Sequence, residues 1–214
     1  MKDSVLKAAV IDAIAFEPSI DDNGIGVAVE DGIVTLTGHV PTYTQKWAIE
    51  QAVGALKGVR GIAEEIEVRV GSSGTDDDEI AKRVVNSLKW STMVPDGKVQ
   101  AMVQNGWVTL TGNLDWHYQR IGAEAAIRSL NGVTGISNHV ELNPRVSTLD
   151  VKKHIEGALK RNATLEAQDI LIDVTGNTVT LRGSVTAWNE RRAVEQAVWA
   201  TPGVTQVLDC LTVL

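Results

Sequence analysis

The feature that most constrains this 214-residue chain is a short segment that occurs three times. It reads VTLTG, VTLTG and VTLRG, and the copies end at Gly38, Gly112 and Gly183, which are 74 and then 71 residues apart. Twenty residues after each copy a second glycine is followed by valine, at Gly58, Gly132 and Gly203. Because a fixed period places equivalent residues in equivalent structures, the chain is predicted to consist of three similar units.

Each unit begins with the pattern of an amphipathic helix. Three apolar residues recur at four-residue intervals, which places them on one helical face. They are Leu6, Val10 and Ile14, then Ile80, Val84 and Leu88, then Val151, Ile155 and Leu159. Acidic residues precede each stripe, where they favour a helix N-terminus. They are Asp3, then Asp76, Asp77 and Asp78, then Asp150.

The repeated segment itself is predicted to be the second strand of a β-hairpin. Apolar and polar residues alternate before and after a two-residue turn in each unit, as hairpin strands require. The turns are Asp31-Gly32, Asn105-Gly106 and Gly176-Asn177. Residue pairs of this kind suit a type I′ turn, which needs positive φ at both central positions. Valine and leucine of each copy should therefore face the core, and threonine should face the opposite side.

An alanine-rich helix and a last strand complete each unit. Thr42 and Gln45 have the spacing of a capping box at the start of the first such helix. The helix should end at the second repeated glycine, where Pro202 reinforces the stop in the third unit. The last strand is predicted to turn Ile66, Val140 and Leu211 towards the core.

The element order predicts an α+β protein of three tandem α-β-β-α-β units. Each unit should be a mixed three-stranded sheet with two helices on one face, because its strands alternate between apolar and polar residues. The expected domains span residues 1–71, 76–144 and 147–214, and they are joined by GSSGT and NPRVS. The six repeated glycines are interpreted as structural, at points where a side chain would crowd the sheet or the turn.

The repeated strands, the alanine-rich helices and the closing turns LKGVRGI, LNGVTGI and TPGVTQV resemble the BON domain family. The resemblance covers nearly the whole chain three times. It implies a non-enzymatic protein without a cofactor, associated with osmotic or envelope stress. It also implies binding to phospholipid interfaces, or chaperone-like activity as in some members.

The composition and charge of the chain limit the classes of molecule that it is expected to bind. The net charge of −7 argues against a large nucleic-acid surface. The segments GVRG and GVTG resemble the GXXG loop of KH domains, but the third copy lacks its second glycine. Apolar runs are too short for a membrane-spanning helix, and Asp12 interrupts any signal-peptide core. A cytoplasmic location is therefore expected, or a periplasmic one if the native chain begins with a further segment.

No catalytic or metal site is predicted. The four histidines, His39, His117, His139 and His154, occupy four different repeat positions and have no partners at ligand or triad spacing. Cys210 shares its repeat position with His139 and Glu65. This variety indicates a tolerant, half-exposed position rather than a nucleophile.

Aromatic and basic residues gather just after the repeated glycine, where the second helix begins. They are Tyr43, Lys46, Trp116, Tyr118, Arg120, Trp188, Arg191 and Arg192. With Arg182, they are the predicted binding residues for an anionic phospholipid surface or a protein partner. The third unit is favoured because its acidic and basic residues are equal in number, whereas the first unit is strongly acidic.

Two alternatives stay open at this point. The aromatic rings could instead pack between units, as is expected for Trp47, which takes the repeat position of Ile121. The function could instead be that of a protein-interaction or chaperone-like scaffold, in which three linked weak sites act together.

Overall fold

The computed structural model describes residues 2–70, 76–143, 151–161 and 170–213. The first unit contains α1 (Asp3–Phe16), β1 (Ile25–Glu30), β2 (Ile33–Val40), α2 (Tyr43–Gly54) and β3 (Gly61–Val68). The second contains α3 (Asp77–Trp90), β4 (Val99–Gln104), β5 (Trp107–Leu114), α4 (His117–Arg128) and β6 (Gly135–Leu142). The third contains α5 (Val151–Arg161), β7 (Leu171–Thr175), β8 (Thr178–Val185), α6 (Trp188–Trp199) and β9 (Gln206–Val213).

Each unit has one three-stranded sheet, and the repeated segment is its central strand. The first and second strands of each sheet are antiparallel, and the second and third are parallel. The α+β prediction of three mixed sheets is therefore confirmed.

One apolar core lies between the sheet and both helices of each unit. In the first unit it joins the predicted stripe of α1 to the valine and leucine of β2 and to residues of α2. The equivalent residues form the cores of the other two units. The side chain of Leu159, which the stripe also predicted to be buried, lies outside the described residues.

The acidic residue at the start of the first helix binds the hairpin turn. The Asp3 carboxylate accepts hydrogen bonds from the backbone N–H groups of Asp31 (2.9 Å) and Gly32 (3.2 Å). In the second unit Asp77 accepts the equivalent bonds at 2.7 and 2.8 Å. Both turns have positive φ at both central residues, as a type I′ turn requires. The helix and the hairpin are thus tied together, while Asp150 lies outside the described residues.

The glycine that ends each repeated segment sits where two backbones approach closely. Gly38, Gly112 and Gly183 have φ of +124°, +139° and +125°. A Cβ on Gly38 would lie 1.9 Å from the Gly24 carbonyl oxygen, and one on Gly112 would lie 2.1 Å from that of Lys98. Alanine cannot occupy these positions without moving the neighbouring strand. At the helix-to-strand turns, Gly58, Gly132 and Gly203 have φ of +97°, +94° and +94°.

Candidate functional site

The residue that opens the second helix lies at a boundary between units. Tyr43, His117 and Trp188 occupy this equivalent position, five residues after the repeated glycine. Tyr43 packs against the core of the second unit, and Trp188 packs against the core of the first. The His117 ring stacks on Trp199 of the third unit, with centroids 4.5 Å apart and planes 9° apart.

The residue on the other side of each boundary also occupies an equivalent position in all three units, near the C-terminal end of the second helix. It is occupied by Gly54, Arg128 and Trp199, sixteen residues after the repeated glycine. Trp188 lies against Gly54, its Cδ1 being 3.4 Å from where a Cβ would stand. The Arg128 guanidinium lies 3.9 Å from the centre of the Trp47 ring. The backbone oxygen of Arg128 accepts a hydrogen bond from Thr44 Oγ1.

These contacts connect the first unit to the second, the second to the third, and the third to the first. Equivalent joints in cyclic order place the three units around an approximate threefold axis. The partner side chains differ in size from joint to joint, so that the large Trp188 meets Gly54 while the smaller His117 meets Trp199. Each joint therefore fits its own pair of units.

In the joint between α4 and α6, Arg120 does not face an acidic residue on the last strand, as the equivalent cations of the other two units do. In the first and third units a helix cation pairs with an acid on the last strand, as Lys46 with Glu64 and Arg191 with Asp209. The equivalent strand residue of the second unit is Asn138, whose amide donates to the Arg120 backbone oxygen. The Arg120 guanidinium instead lies 4.5 Å from the centre of the Trp199 ring.

Burial and the neighbouring Arg120 together favour the neutral form of His117. Arg120 Nη2 lies 3.0 Å from His117 Nδ1, which accepts the bond when the imidazole is neutral. Burial, and then the positive charge of Arg120, lower the pKa of His117 to about 4. The ring is therefore held neutral in the closed joint at ordinary pH.

We expect this joint to weaken in acid. Between pH 6.5 and about 4 the free imidazole takes up a proton that the closed joint excludes, so stability falls as pH falls through this window. A His117→Phe variant keeps a stacking ring and cannot titrate. Its thermal midpoint, measured by calorimetry, should decline less than that of the unmodified chain over the same range. Parallel declines would contradict the assignment.

A groove runs between α4 and α6 and reaches the first unit. It has a volume of about 710 Å³. We call it the α4–α6 groove, and its principal lining residues are Trp47, Met93, Trp116, Tyr118, Ile121, Arg128, Arg192 and Trp199. Three of the predicted binding residues, Trp116, Tyr118 and Arg192, are thus brought together.

The other predicted binding residues lie elsewhere. Tyr43 and Trp188 lie in joints, and burial is the main cause that raises the pKa of Tyr43 to about 12. Lys46 donates to the Ile66 carbonyl oxygen at 2.8 Å, and Arg191 lies over Trp188 besides pairing with Asp209. Arg182 is exposed on β8. The structure thus separates a joint-forming group from a solvent-accessible group.

Two groove residues were not anticipated from the sequence. Trp199 ends α6 and packs against the cores of both the second and third units. Met93 lies in the loop after α3, beside Gly122 of α4. The alignment of Gly54, Arg128 and Trp199 at one repeat position was the available signal, because chemically unlike residues at an equivalent site indicate different surroundings.

Two further aromatic residues project into solvent at equivalent positions. Phe16 is the last residue of α1 and is 89% exposed, and Trp90 is the last residue of α3 and is 84% exposed. Both rings therefore occupy the same position in their units. Lys89, next to Trp90, is also exposed. We call Phe16, Trp90 and Lys89 the aromatic rim.

None of the His, Cys, Asp and Glu side chains in the described ranges form a group of three suited to a metal ion. Within the same ranges no helix is both long and apolar enough to cross a bilayer.

Comparison with known proteins decides the family. The model of the BON domain matches residues 2–70, 76–144 and 147–214. The chain belongs to the BON family. The resemblance inferred from the repeated strands is confirmed.

Two characterised BON relatives are similar over most of their length. Osmotically-inducible protein Y of Escherichia coli is 28% identical over 149 residues, covering 66% of this chain and 73% of the relative. Outer membrane lipoprotein DolP of Haemophilus influenzae is 22% identical over 158 residues, covering 70% and 82%. The first relative is named for osmotic induction and the second for the outer membrane. The names of these two relatives do not support the expected cytoplasmic location.

A solved structure also aligns with the BON chain. It is CdsD, a structural protein of the type III secretion system of Chlamydia trachomatis, with 18% identity and a TM-score of 0.28. The alignment covers 98% of this chain and 92% of that one. At this score the overlay supports no inference about function.

Proposed function

We propose that this BON protein is a non-enzymatic, stress-associated module of the cell envelope that binds anionic phospholipid surfaces weakly. The observation that carries the proposal is the aromatic rim, where Phe16 and Trp90 are the most exposed of the large apolar side chains among the described residues. Such rings are available to a partner, and tryptophan is enriched at membrane interfaces, where one end of its ring is apolar and the other is hydrated. The names of the two relatives support the envelope and the osmotic response as the setting.

The chemistry of the rim fits a bilayer interface. Indole is favoured at the level of lipid headgroups, where its ring meets the acyl boundary and its N–H stays hydrated. Lys89 adds a positive charge beside Trp90. In the third unit, the sequence position equivalent to Trp90 is Arg161. Because the two anchors belong to one chain, binding of the first raises the effective concentration of the second.

The overall charge of the chain sets the strength of binding. A net charge of −7 repels an anionic surface, so attraction depends on short-range contacts at the rim. Salt screens both the repulsion and the attraction within about 10 Å, and the hydrophobic part persists. The proposed association is therefore weak. The sequence-based assignment of lipid contacts to Arg182, Trp188, Arg191 and Arg192 of the third unit stays a prediction.

Sedimentation with vesicles tests the proposal. The unmodified chain should partition more strongly onto vesicles of phosphatidylglycerol and phosphatidylcholine than onto pure phosphatidylcholine. Trp90→Ala should lower the partition coefficient about tenfold, because partial burial of an indole contributes roughly 1.5 kcal/mol. Trp107→Ala is the matched control, since Trp107 is a half-exposed indole (47%) at the start of β5.

Two results would overturn the proposal. One is equal partition onto charged and neutral vesicles, and the other is an equal loss in the Trp90→Ala and Trp107→Ala variants. An absence of vesicle binding altogether would favour the alternative function, a protein-interaction or chaperone-like scaffold.

A further inference from the structure

The α4–α6 groove differs from the aromatic rim in shape. Its walls come from more than one unit, with Trp116, Tyr118 and Ile121 on α4 or just before it and Trp199 on α6. Trp47 of the first unit also lines it. A volume of about 710 Å³ lies within the range of small-molecule sites in proteins. A concave site of this kind suits one molecule rather than a flat bilayer.

The walls of the groove are mainly apolar. Tyr118 is 58% exposed, and Ile121 and Met93 are 46% and 48% exposed, so apolar surface is open to a ligand. Trp199 is already in contact with His117 and Arg120, each 4.5 Å from the centre of its ring. These surfaces fit a long aliphatic chain, whose burial would release water from several side chains at once.

The charges of the groove are uneven. Glu124 pairs with Arg128 at 3.0 Å, which leaves this pair without net charge. His117 is neutral at ordinary pH because its pKa is lowered to about 4. Arg192 has no hydrogen bond or ion pair with any other residue in the described part of the chain. Arg192 on α6 therefore supplies a positive charge without an ion-pair partner among the described residues, while the charge of Arg120, over the Trp199 ring, is opposed by Glu195 and Glu124.

We propose that the α4–α6 groove binds a single long-chain amphiphile with one negative charge, of the fatty-acid class. The aliphatic chain lies along Ile121, Met93 and the aromatic walls, and the anionic head pairs with the Arg192 guanidinium. A guanidinium suits this role because it can donate two parallel hydrogen bonds to one carboxylate. This site is independent of the aromatic rim and of the proposed attachment to a bilayer.

Three probes of equal chain length test the site. Decanoate, 1-decanol and decyltrimethylammonium would be titrated below their aggregation limits, with binding measured by calorimetry and by the chemical shifts of the tryptophan indole N–H groups. Decanoate should bind about tenfold more tightly than decanol, as one partly buried charged hydrogen bond contributes about 1.5 kcal/mol. The cationic probe should bind more weakly than either.

Variants separate the site from nonspecific association. Arg192→Gln should lower the affinity for decanoate about tenfold and leave that for decanol unchanged. Arg182→Gln removes an exposed arginine from β8 and should leave both unchanged. Ile121→Glu, at a side chain 46% exposed, should abolish decanoate binding while the chain still folds.

Equal affinity of the unmodified chain for decanoate and decanol would overturn the proposal. So would an equal loss in the Arg192→Gln and Arg182→Gln variants. Trp90→Ala should bind decanoate normally, so a failure of rim-mediated vesicle binding can be told apart from a failure of the groove. A decanoate affinity lowered by Trp90→Ala would contradict an independent site.

Discussion

A Gly112→Ala variant is expected to lose most of the stability of the second unit. The added Cβ would stand 2.1 Å from the Lys98 carbonyl oxygen, at a residue with φ of +139°. Backbone strain and overpacking together should reduce the free energy of unfolding by about 4 kcal/mol. A unit of this size has a total stability of only roughly 4–10 kcal/mol. Urea denaturation followed by circular dichroism would measure the loss.

The control for this variant is Gly97→Ala. Gly97 also has positive φ, at +71°, but a Cβ there would have no heavy atom within 4 Å. Only the conformational cost applies, which is about 1 kcal/mol. If both variants lost the same amount, the close approach of the two strands would not be the reason for the repeated glycine.

Trp199→Ala is expected to have the second largest effect. The indole packs against two cores and is stacked against His117 and Arg120, so its removal empties the joint between α4 and α6. Large-to-small replacements of this kind reduce the free energy of unfolding by about 3 kcal/mol. Because the loss falls on a boundary, thermal unfolding should separate into two transitions, with the third unit unfolding first.

Trp90→Ala provides the comparison for this variant. Trp90 is 84% exposed, so its removal should change the free energy of unfolding by less than about 0.5 kcal/mol. A Trp199→Ala variant that lost no more than Trp90→Ala, or that kept a single transition, would show that the joint is not formed as described.

The architecture of each unit was predictable because local patterns determine it. Alternation, the turn pairs and the stripe of α1 each specify one element, and the repeat supplies the same information three times. The role of Asp3 was not predictable in this way. It was interpreted as a helix-terminus charge, but its hydrogen bonds go to Asp31 and Gly32, about thirty residues away in sequence. Such a contact depends on how a helix packs against a hairpin.

The capping box at α2 was predictable only in part. Gln45 N–H donates to Thr42 Oγ1 at 3.3 Å, as expected. The reciprocal bond is not formed, because Gln45 Oε1 is buried without a hydrogen-bond partner. The start of this helix lies beside the second unit, where packing of Tyr43 and Thr44 also decides the local arrangement.

The placement of the binding residues depended on contacts between units. Aromatic residues at the start of the second helix have the same local pattern whether they face solvent or a neighbouring unit. Trp188 meets a glycine and Tyr118 meets solvent, and their repeat positions differ by one residue, a difference that gains meaning only from the contacts between units. Phe16 and Trp90 each come two residues after the last residue of a buried stripe, which is on the opposite face of the helix, so the helical period did carry a signal for their exposure.

One measurement tests the attachment of this BON protein to lipid most directly. The six tryptophans provide six indole N–H resonances, which can be recorded in the presence of anionic bicelles that contain a nitroxide-labelled lipid. The Trp90 resonance should broaden strongly, while those of Trp107 at β5 and Trp188 in its joint keep their intensity. Broadening of Trp107 with Trp90 unaffected, or equal broadening of all six, would contradict the account.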